Sequence, residues 1–214
     1  MVKVIVSGAK GRMGTCIVNA VAAAEDLKLV GCFDPHCAGQ VVSCADGDFA
    51  CSDDLGALID ATGADVVVDF TQPGAVLANV ECVLSHGAHA VVGTTGVARQ
   101  DMEALALKYA DKGGKLFFAP NFTTGAVLMM QFAKVAGKFF PDVEIVEMHH
   151  DGKKDAPSGT AVTTAHMIAE GRGGVRNAGP GSETEIAGCE GARGAEVDGV
   201  RIHAIRGDGY MASQ

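Results

Sequence analysis

Residues 2–14 read Val2-Lys3-Val4-Ile5-Val6-Ser7-Gly8-Ala9-Lys10-Gly11-Arg12-Met13-Gly14. A β-branched run enters a glycine-rich turn, and Met13, Ile17, Val18 and Val21 then recur at helical spacing, which marks a core face. Strand, tight turn and helix in this order open a βαβ unit. In that context the helix N-terminus and its backbone amides can face a pyrophosphate, and glycines let it approach. Gly8, Gly11 and Gly14 keep a G-x-x-G-x-x-G spacing, with Ala9 where the usual fingerprint has its first glycine. Asp34 follows 20 residues after Gly14, at the end of the next strand, where a carboxylate can accept hydrogen bonds from ribose hydroxyls. A tight turn beside an unrelated aspartate is the plainer alternative. A 2′-phosphate would be repelled by Asp34, and Pro35 supplies no compensating charge, so NADH is favoured, with Lys10 and Arg12 still able to admit NADPH.

Outward from this turn the pattern repeats. Short apolar runs at residues 29–33, 66–70, 90–93 and 116–119 alternate with helical segments, among them Met102, Leu105 and Ala106 on a core face. The reading is α/β, with a Rossmann-like parallel sheet. The character changes near Asn121, and the chain divides into a dinucleotide-binding domain, residues 1–121, and a smaller α+β domain for substrate binding and oligomerisation, residues 122–214. In the second, a helix over 124–138, a strand over 142–148 and a helix opened by Pro157 and Ser158 and running to about 170 precede a Gly-rich tail. Residues 183–187 and 200–206 in that tail read as strands of a mostly antiparallel sheet.

Composition narrows the function classes. With 17 Lys+Arg against 26 Asp+Glu, the net charge of −9 argues against a general nucleic-acid binder, which needs clustered positive charge. No apolar run reaches the length of a membrane span, and the start lacks the regions of a signal peptide, so the chain reads as soluble and cytoplasmic. Seven cysteines, an odd count without a Cys-x-x-Cys pair, argue against a disulfide framework. Cys32, Cys37, Cys44 and Cys51 match no common zinc spacing, and buried free thiols are the reading preferred to a metal site.

Two loops follow strand ends, Gly93-Thr94-Thr95-Gly96 and Ala119-Pro120-Asn121-Phe122. In open α/β sheets the ligand crevice lies at the carboxyl ends of the strands, so both can reach a nicotinamide; ordinary turn chemistry explains them equally well. The densest stretch is Glu147-Met148-His149-His150-Asp151-Gly152-Lys153-Lys154-Asp155-Ala156-Pro157-Ser158-Gly159-Thr160-Ala161. Strand alternation sends His149 and His150 to opposite faces, so they take different parts. A histidine suits general acid work, and Lys153 can neutralise an anion or stabilise developing charge. Ser158, Gly159 and Thr160 open a helix whose free amides can bind a carboxylate, which points to a small acid as substrate. Singly, each of these residues reads as a solvated loop or a cap. A metal site from His149, His150 and Asp151 is disfavoured because adjacent positions diverge, and no metal ligand is assigned.

Taken together, His149-His150-x-x-Lys153-x-Asp155-Ala156-Pro157-Ser158-Gly159-Thr160-Ala161, preceded in order by the glycine turn and the two loops, resembles the dihydrodipicolinate reductase (4-hydroxy-tetrahydrodipicolinate reductase) family from residue 1 to about 205. The resemblance implies a cytoplasmic, homotetrameric enzyme of the diaminopimelate route to lysine, assembled through the sheets of its substrate domains. It would reduce a cyclic dicarboxylate to tetrahydrodipicolinate with NADH or NADPH. Carried over by position, Gly8, Ala9, Lys10, Gly11, Arg12, Met13 and Asp34 bind the dinucleotide, while Gly93, Thr94, Thr95, Ala119, Pro120, Asn121 and Phe122 flank the nicotinamide. His149 becomes the proton donor or acceptor, Lys153 a second proton donor, and His150, Gly159 and Thr160 substrate contacts.

The same resemblance implies a C-terminal truncation, because the family pattern continues past the position of Gln214 with more strand, a glycine-rich turn and a final helix. Two rival readings stand beside it. A semialdehyde dehydrogenase needs a nucleophilic cysteine, and none lies between Cys82 and Cys189. A non-catalytic dinucleotide-binding remnant would keep the glycine turn and bind cofactor without turnover.

Overall fold

The computed structural model describes residues 1–119, 121–140, 142–174, 186–188 and 191–214. The chain forms two compact units, Met1–Pro120 and Asn121–Gln214.

The first unit runs β1 (Val2–Ser7), α1 (Arg12–Ala23), β2 (Leu27–Phe33), β3 (Val41–Cys44), β4 (Gly47–Ser52), α2 (Leu55–Thr62), β5 (Val66–Asp69), α3 (Pro73–Ser85), β6 (His89–Val92), α4 (Arg99–Lys108) and β7 (Leu116–Phe118). Its seven-stranded sheet has the order β3-β4-β2-β1-β5-β6-β7 and is parallel apart from the β3–β4 pair. β1 sits in the middle with Val4, Ile5 and Val6 buried, as expected of a strand covered by helices on both faces. Alternation sends Ile5 into one core with Val67, Val76, Val80 and Met102, and Val4 and Val6 into the other with Val18, Val21 and Leu29. Met13 departs from the expected core stripe: it lies at the first turn of α1, 51% exposed, because the inward face there is taken by the close approach of Gly14 to Gly8.

The β3–β4 hairpin is an element that the sequence reading did not anticipate. Its signal was Asp46-Gly47, where Gly47 adopts φ +127°. The hairpin sets Cys51 beside Cys32 in the β2–β4 register. Both thiols are buried, and burial pushes Cys32 up to about 12, which keeps it protonated. Among the described residues, six cysteines are free thiols, and no group of three or more His, Cys, Asp or Glu is placed to hold a metal.

The second unit runs α5 (Thr124–Ala136), β8 (Glu144–His149), α6 (Gly159–Gly171), β9 (Ala195–Val197), β10 (Val200–Arg206) and β11 (Ala212–Ser213). The sheet order is β11-β8-β10-β9. Its edge pairings are antiparallel, but the long central pairing of β8 with β10 is parallel, from Glu144 opposite Arg201 to His149 opposite Arg206. Two of the three pairings are thus antiparallel, as expected, and the departure is the longest one: α6 carries the chain back to the end where β8 began, so the next long strand runs the same way. Ile145, Ala161, Ala165, Ile168, Val200 and Ile202 form the core between sheet and helix. Burying side chains the size of Ile168 and Ile202 stabilises the unit by about 1.5–3 kcal/mol each. Of the strand expected over 183–187, residues 183–185 lie outside the described residues, and 186–188 contain no strand. Among the described residues, no helix is long and apolar enough to cross a membrane.

Candidate active site

The glycine turn leaves β1 at Ser7. Gly8 adopts φ +78° and donates its N–H to the Phe33 carbonyl at 2.8 Å, while the Gly11 N–H closes the turn on the Gly8 carbonyl at 2.9 Å. The three glycines serve different needs. A Cβ on Gly8 would stand 2.6 Å from the Phe70 carbonyl oxygen, and one on Gly14 would stand 1.9 Å from the Gly8 oxygen, so the path of the chain requires both. Gly11 is exposed, and a Cβ there would meet only the Gly8 oxygen, at 3.2 Å. Its bareness is useful to something that approaches from outside.

That approach fits a pyrophosphate. Gly11 is the N-cap of α1, with no side-chain cap and no acidic residue in the first turn, which leaves helix-terminal amides and positive dipole for an anion. Lys10 and Arg12 flank it, exposed, and the Lys10 ammonium lies 3.4 Å from the Val41 carbonyl. Asp34, buried to 9% exposure at the end of β2, accepts the backbone N–H of Lys10 at 3.3 Å. Ala9 is buried beneath the turn in the core with Val18. The residues present therefore suit a dinucleotide.

The carboxyl end of the same sheet holds a polar hub that the sequence reading missed. Asp69, 2% exposed at the end of β5, accepts hydrogen bonds from Ser7 Oγ at 2.8 Å, Thr94 Oγ1 at 2.7 Å, Thr71 Oγ1 at 2.8 Å and Asn79 Nδ2 at 2.8 Å. It thereby links the ends of β1, β5 and β6. Its signal was a carboxylate closing the all-valine run Val66-Val67-Val68. The Gly93–Gly96 loop divides accordingly: Thr94 points inward to Asp69, Thr95 is exposed, and Gly93 makes room for the Phe70 ring, which a Cβ would meet at 2.1 Å.

Of the second loop, Ala119 donates its N–H to Val92 at 3.2 Å, and Pro120 lies outside the described residues. Asn121 and Phe122 belong to the second unit, where Asn121 Nδ2 lies 3.3 Å from Thr160 Oγ1 and Phe122 is 46% exposed.

In the second unit the decisive residue is another missed carboxylate. Along β8, Ile145 and Glu147 share the inward face, so Glu147 is fully buried. Its Oε2 lies 2.5 Å from His149 Nδ1, and Arg206 spans both carboxylate oxygens at 2.9 Å each. The Ser158 N–H donates to Oε1 at 3.0 Å. Burial pushes the Glu147 carboxyl up, but the hydrogen bonds from Arg206, His149 and Ser158 outweigh it and hold it below the ordinary value. The signal available in the sequence was an acidic residue at the core-facing parity of a strand.

Arg206 also donates to the Asp155 carbonyl at 2.6 Å, and Asp155 Oδ1 accepts from Lys153 Nζ at 2.6 Å. Lys153 N–H caps the His150 carbonyl at 3.1 Å, and the His150 side chain is exposed beyond the strand end. Ser158 is the N-cap of α6, its hydroxyl accepting the Ala161 N–H at 3.2 Å. Among the described residues, nothing lies within 4 Å of where a Cβ on Gly159 would stand, so the helix terminus there is open.

Comparison with known proteins agrees across both units. Residues 2–122 match the family model described as dihydrodipicolinate reductase, N-terminus, and residues 125–214 the one described as dihydrodipicolinate reductase, C-terminus. The 4-hydroxy-tetrahydrodipicolinate reductase of Listeria welshimeri is 46% identical over 216 residues, covering 99% of this chain and 81% of the relative. That of Enterococcus faecalis is 44% identical over 214 residues, covering 100% and 82%. The structure of dipicolinate-bound dihydrodipicolinate reductase from Paenisporosarcina sp. TG-14 superimposes with a TM-score of 0.75 at 38% identity, over 99% of this chain and 81% of that one.

Proposed function

The chain belongs to the dihydrodipicolinate reductase family, and on that premise we propose that it reduces 4-hydroxy-tetrahydrodipicolinate to tetrahydrodipicolinate, in lysine and diaminopimelate biosynthesis, with His149 and Lys153 managing the protons. The observation that carries this reading is the linked set Glu147, His149, Arg206, Asp155 and Lys153 beside the open N-terminus of α6.

The first unit holds the dinucleotide: Gly8 to Met13 cradle its pyrophosphate, Asp34 takes the ribose hydroxyls, and Gly93, Thr94, Thr95, Ala119 and Pro120 border the nicotinamide, a part that the family resemblance also gives to Asn121 and Phe122 at the start of the second unit. Bound there, a reduced nicotinamide supplies hydride. NADH is favoured over NADPH because a 2′-phosphate would meet the Asp34 carboxylate, although Lys10 and Arg12 leave NADPH admissible.

The second unit holds the dicarboxylate. His150, Gly159 and Thr160 bind it, and the amides at the start of α6 accept a carboxylate. His149 transfers the proton that completes reduction, and Lys153, released from Asp155, is the second donor. No metal takes part. The protein works in the cytoplasm as a homotetramer joined through its second-unit sheets. The outward side of that sheet supports this assembly, since Val146 and Ile205 are 48% and 40% exposed on β8 and β10.

An NADH-oxidation assay tests the reading, with the unstable substrate generated in situ from pyruvate and aspartate semialdehyde by a coupled synthase. We expect turnover whose kcat falls by about 10²–10⁴-fold in His149→Gln, with a smaller change in KM. Cofactor binding without turnover would identify a non-catalytic form instead.

A further inference from the structure

Neither Glu147 nor Arg206 takes a chemical step in the reaction as just described, yet the buried Glu147 carboxylate is bonded to His149, to the Ser158 N–H and twice to Arg206. We infer that Glu147 is a positioning residue for proton transfer: it holds the Nδ1 proton of His149, so that Nε2 alone exchanges a proton with substrate, while Arg206 balances its buried charge. This rests on the reading of His149 as the proton-transfer residue.

The tautomer follows from the partners. An ionised carboxylate has lone pairs and no hydrogen to donate, so at 2.5 Å from Glu147 Oε2 the proton of the contact belongs to His149 Nδ1. Neutral His149 therefore carries its free lone pair on Nε2, and cationic His149 releases its proton from Nε2. In the donating direction the Nε2–H bond breaks and its electron pair stays on the ring. The proton joins the substrate carbon that received an electron pair when hydride added to the neighbouring carbon. The ring is left neutral, with its Nδ1 proton still directed at Glu147.

Burial makes the hold rigid. Glu147 is fully buried and the His149 side chain only 16% exposed, so water competes poorly for the contact. An isolated carboxylate in that position would neutralise itself and lose its acceptor character. The two parallel bonds from Arg206 prevent this and fix the carboxylate plane, and the Ser158 amide adds a third anchor. The β8–β10 register supplies the geometry, because it sets Arg206 directly beside His149.

Two measurements decide the matter. In ¹⁵N-histidine-labelled protein, assigned against His149→Gln, the neutral ring should show a protonated Nδ1 and a bare Nε2; the reverse overturns the inference without any change at Glu147. In Glu147→Gln the amide can keep its oxygen toward Arg206 Nη2 and the Ser158 N–H and turn its NH₂ toward Nδ1, which gives up the bond from Arg206 Nη1 and imposes the opposite tautomer. We expect kcat to fall by about 10²-fold or more, with the KM for NADH within about twofold, and Glu147→Asp to recover part of the loss. Full turnover in Glu147→Gln, with His149→Gln inactive, overturns this inference alone. Full turnover in His149→Gln overturns the reading of His149 as the proton-transfer residue on which it rests.

Discussion

The carboxylate of Asp34 accepts the backbone N–H of Lys10 at 3.3 Å, so the residue that would read the ribose also steadies the turn that would hold the pyrophosphate. Removing its charge removes a repulsion against a 2′-phosphate and loosens the turn at the same time. Asp34→Ser should shift the ratio of kcat/KM for NADPH to that for NADH upward by about tenfold, equivalent to about 1.4 kcal/mol. Steady-state kinetics with both cofactors measures it, and an unchanged ratio removes Asp34 from cofactor selection.

Gly14 and Gly11 should respond oppositely to one added methyl group. Gly14→Ala drives a Cβ to 1.9 Å from the Gly8 oxygen, a backbone atom with nowhere to go, and should cost about 3 kcal/mol or more in urea unfolding. Gly11→Ala meets the same atom only at 3.2 Å and should lose less than about 1 kcal/mol of stability while weakening NADH binding by about tenfold or more. Calorimetric titration of NADH separates the two effects.

Asp69 is the buried acceptor on which Ser7, Thr71, Thr94 and Asn79 converge. In Asp69→Ala those donors lose their partner in a site closed to water, which should destabilise the first unit by about 3 kcal/mol. The loops after β1 and β6 hang on this hub, so NADH affinity should fall as well. A variant as stable as the parent would show that the hub is dispensable.

Acid should unfold the second unit through Glu147. Burial raises its carboxyl pKa, but hydrogen bonding from Arg206 and His149 more than compensates, and the result is below the ordinary value of 4.5. A depressed carboxyl contributes stability that is complete above its unfolded pKa and is lost as pH falls through its folded one. Tm should therefore be level above about pH 5 and decline below about 4.5. Glu147→Gln should flatten that decline, as a calorimetric series across pH would reveal. Glu81, Glu144 and Asp155 shift the same way but are 43%, 42% and 59% exposed, so solvent screening leaves them little weight.

Much of this protein was legible before any coordinates. Hydrophobic period distinguishes strands from helices because a strand repeats every two residues and a helix every 3.6, and this placed β1, β2, β5, β6, β7, α5, α6 and β10. The glycine turn and the place of Asp34 at the end of β2 were legible because strand, turn and helix follow one another along the chain, whereas the parts proposed for His149 and Lys153 came only with the resemblance of their segment to a family. Tertiary structure alone decided the rest. The parallel run of β8 beside β10 and the β3–β4 hairpin depend on which strands pair, and pairing joins residues far apart in the chain. The burial of Glu147 under Arg206, 59 positions away, and of Asp69 under Ser7, 62 positions away, comes from the same cause. A charged residue on a strand reads as solvent-facing until the fold supplies its partners, because only a complete set of hydrogen bonds offsets the cost of taking its charge out of water.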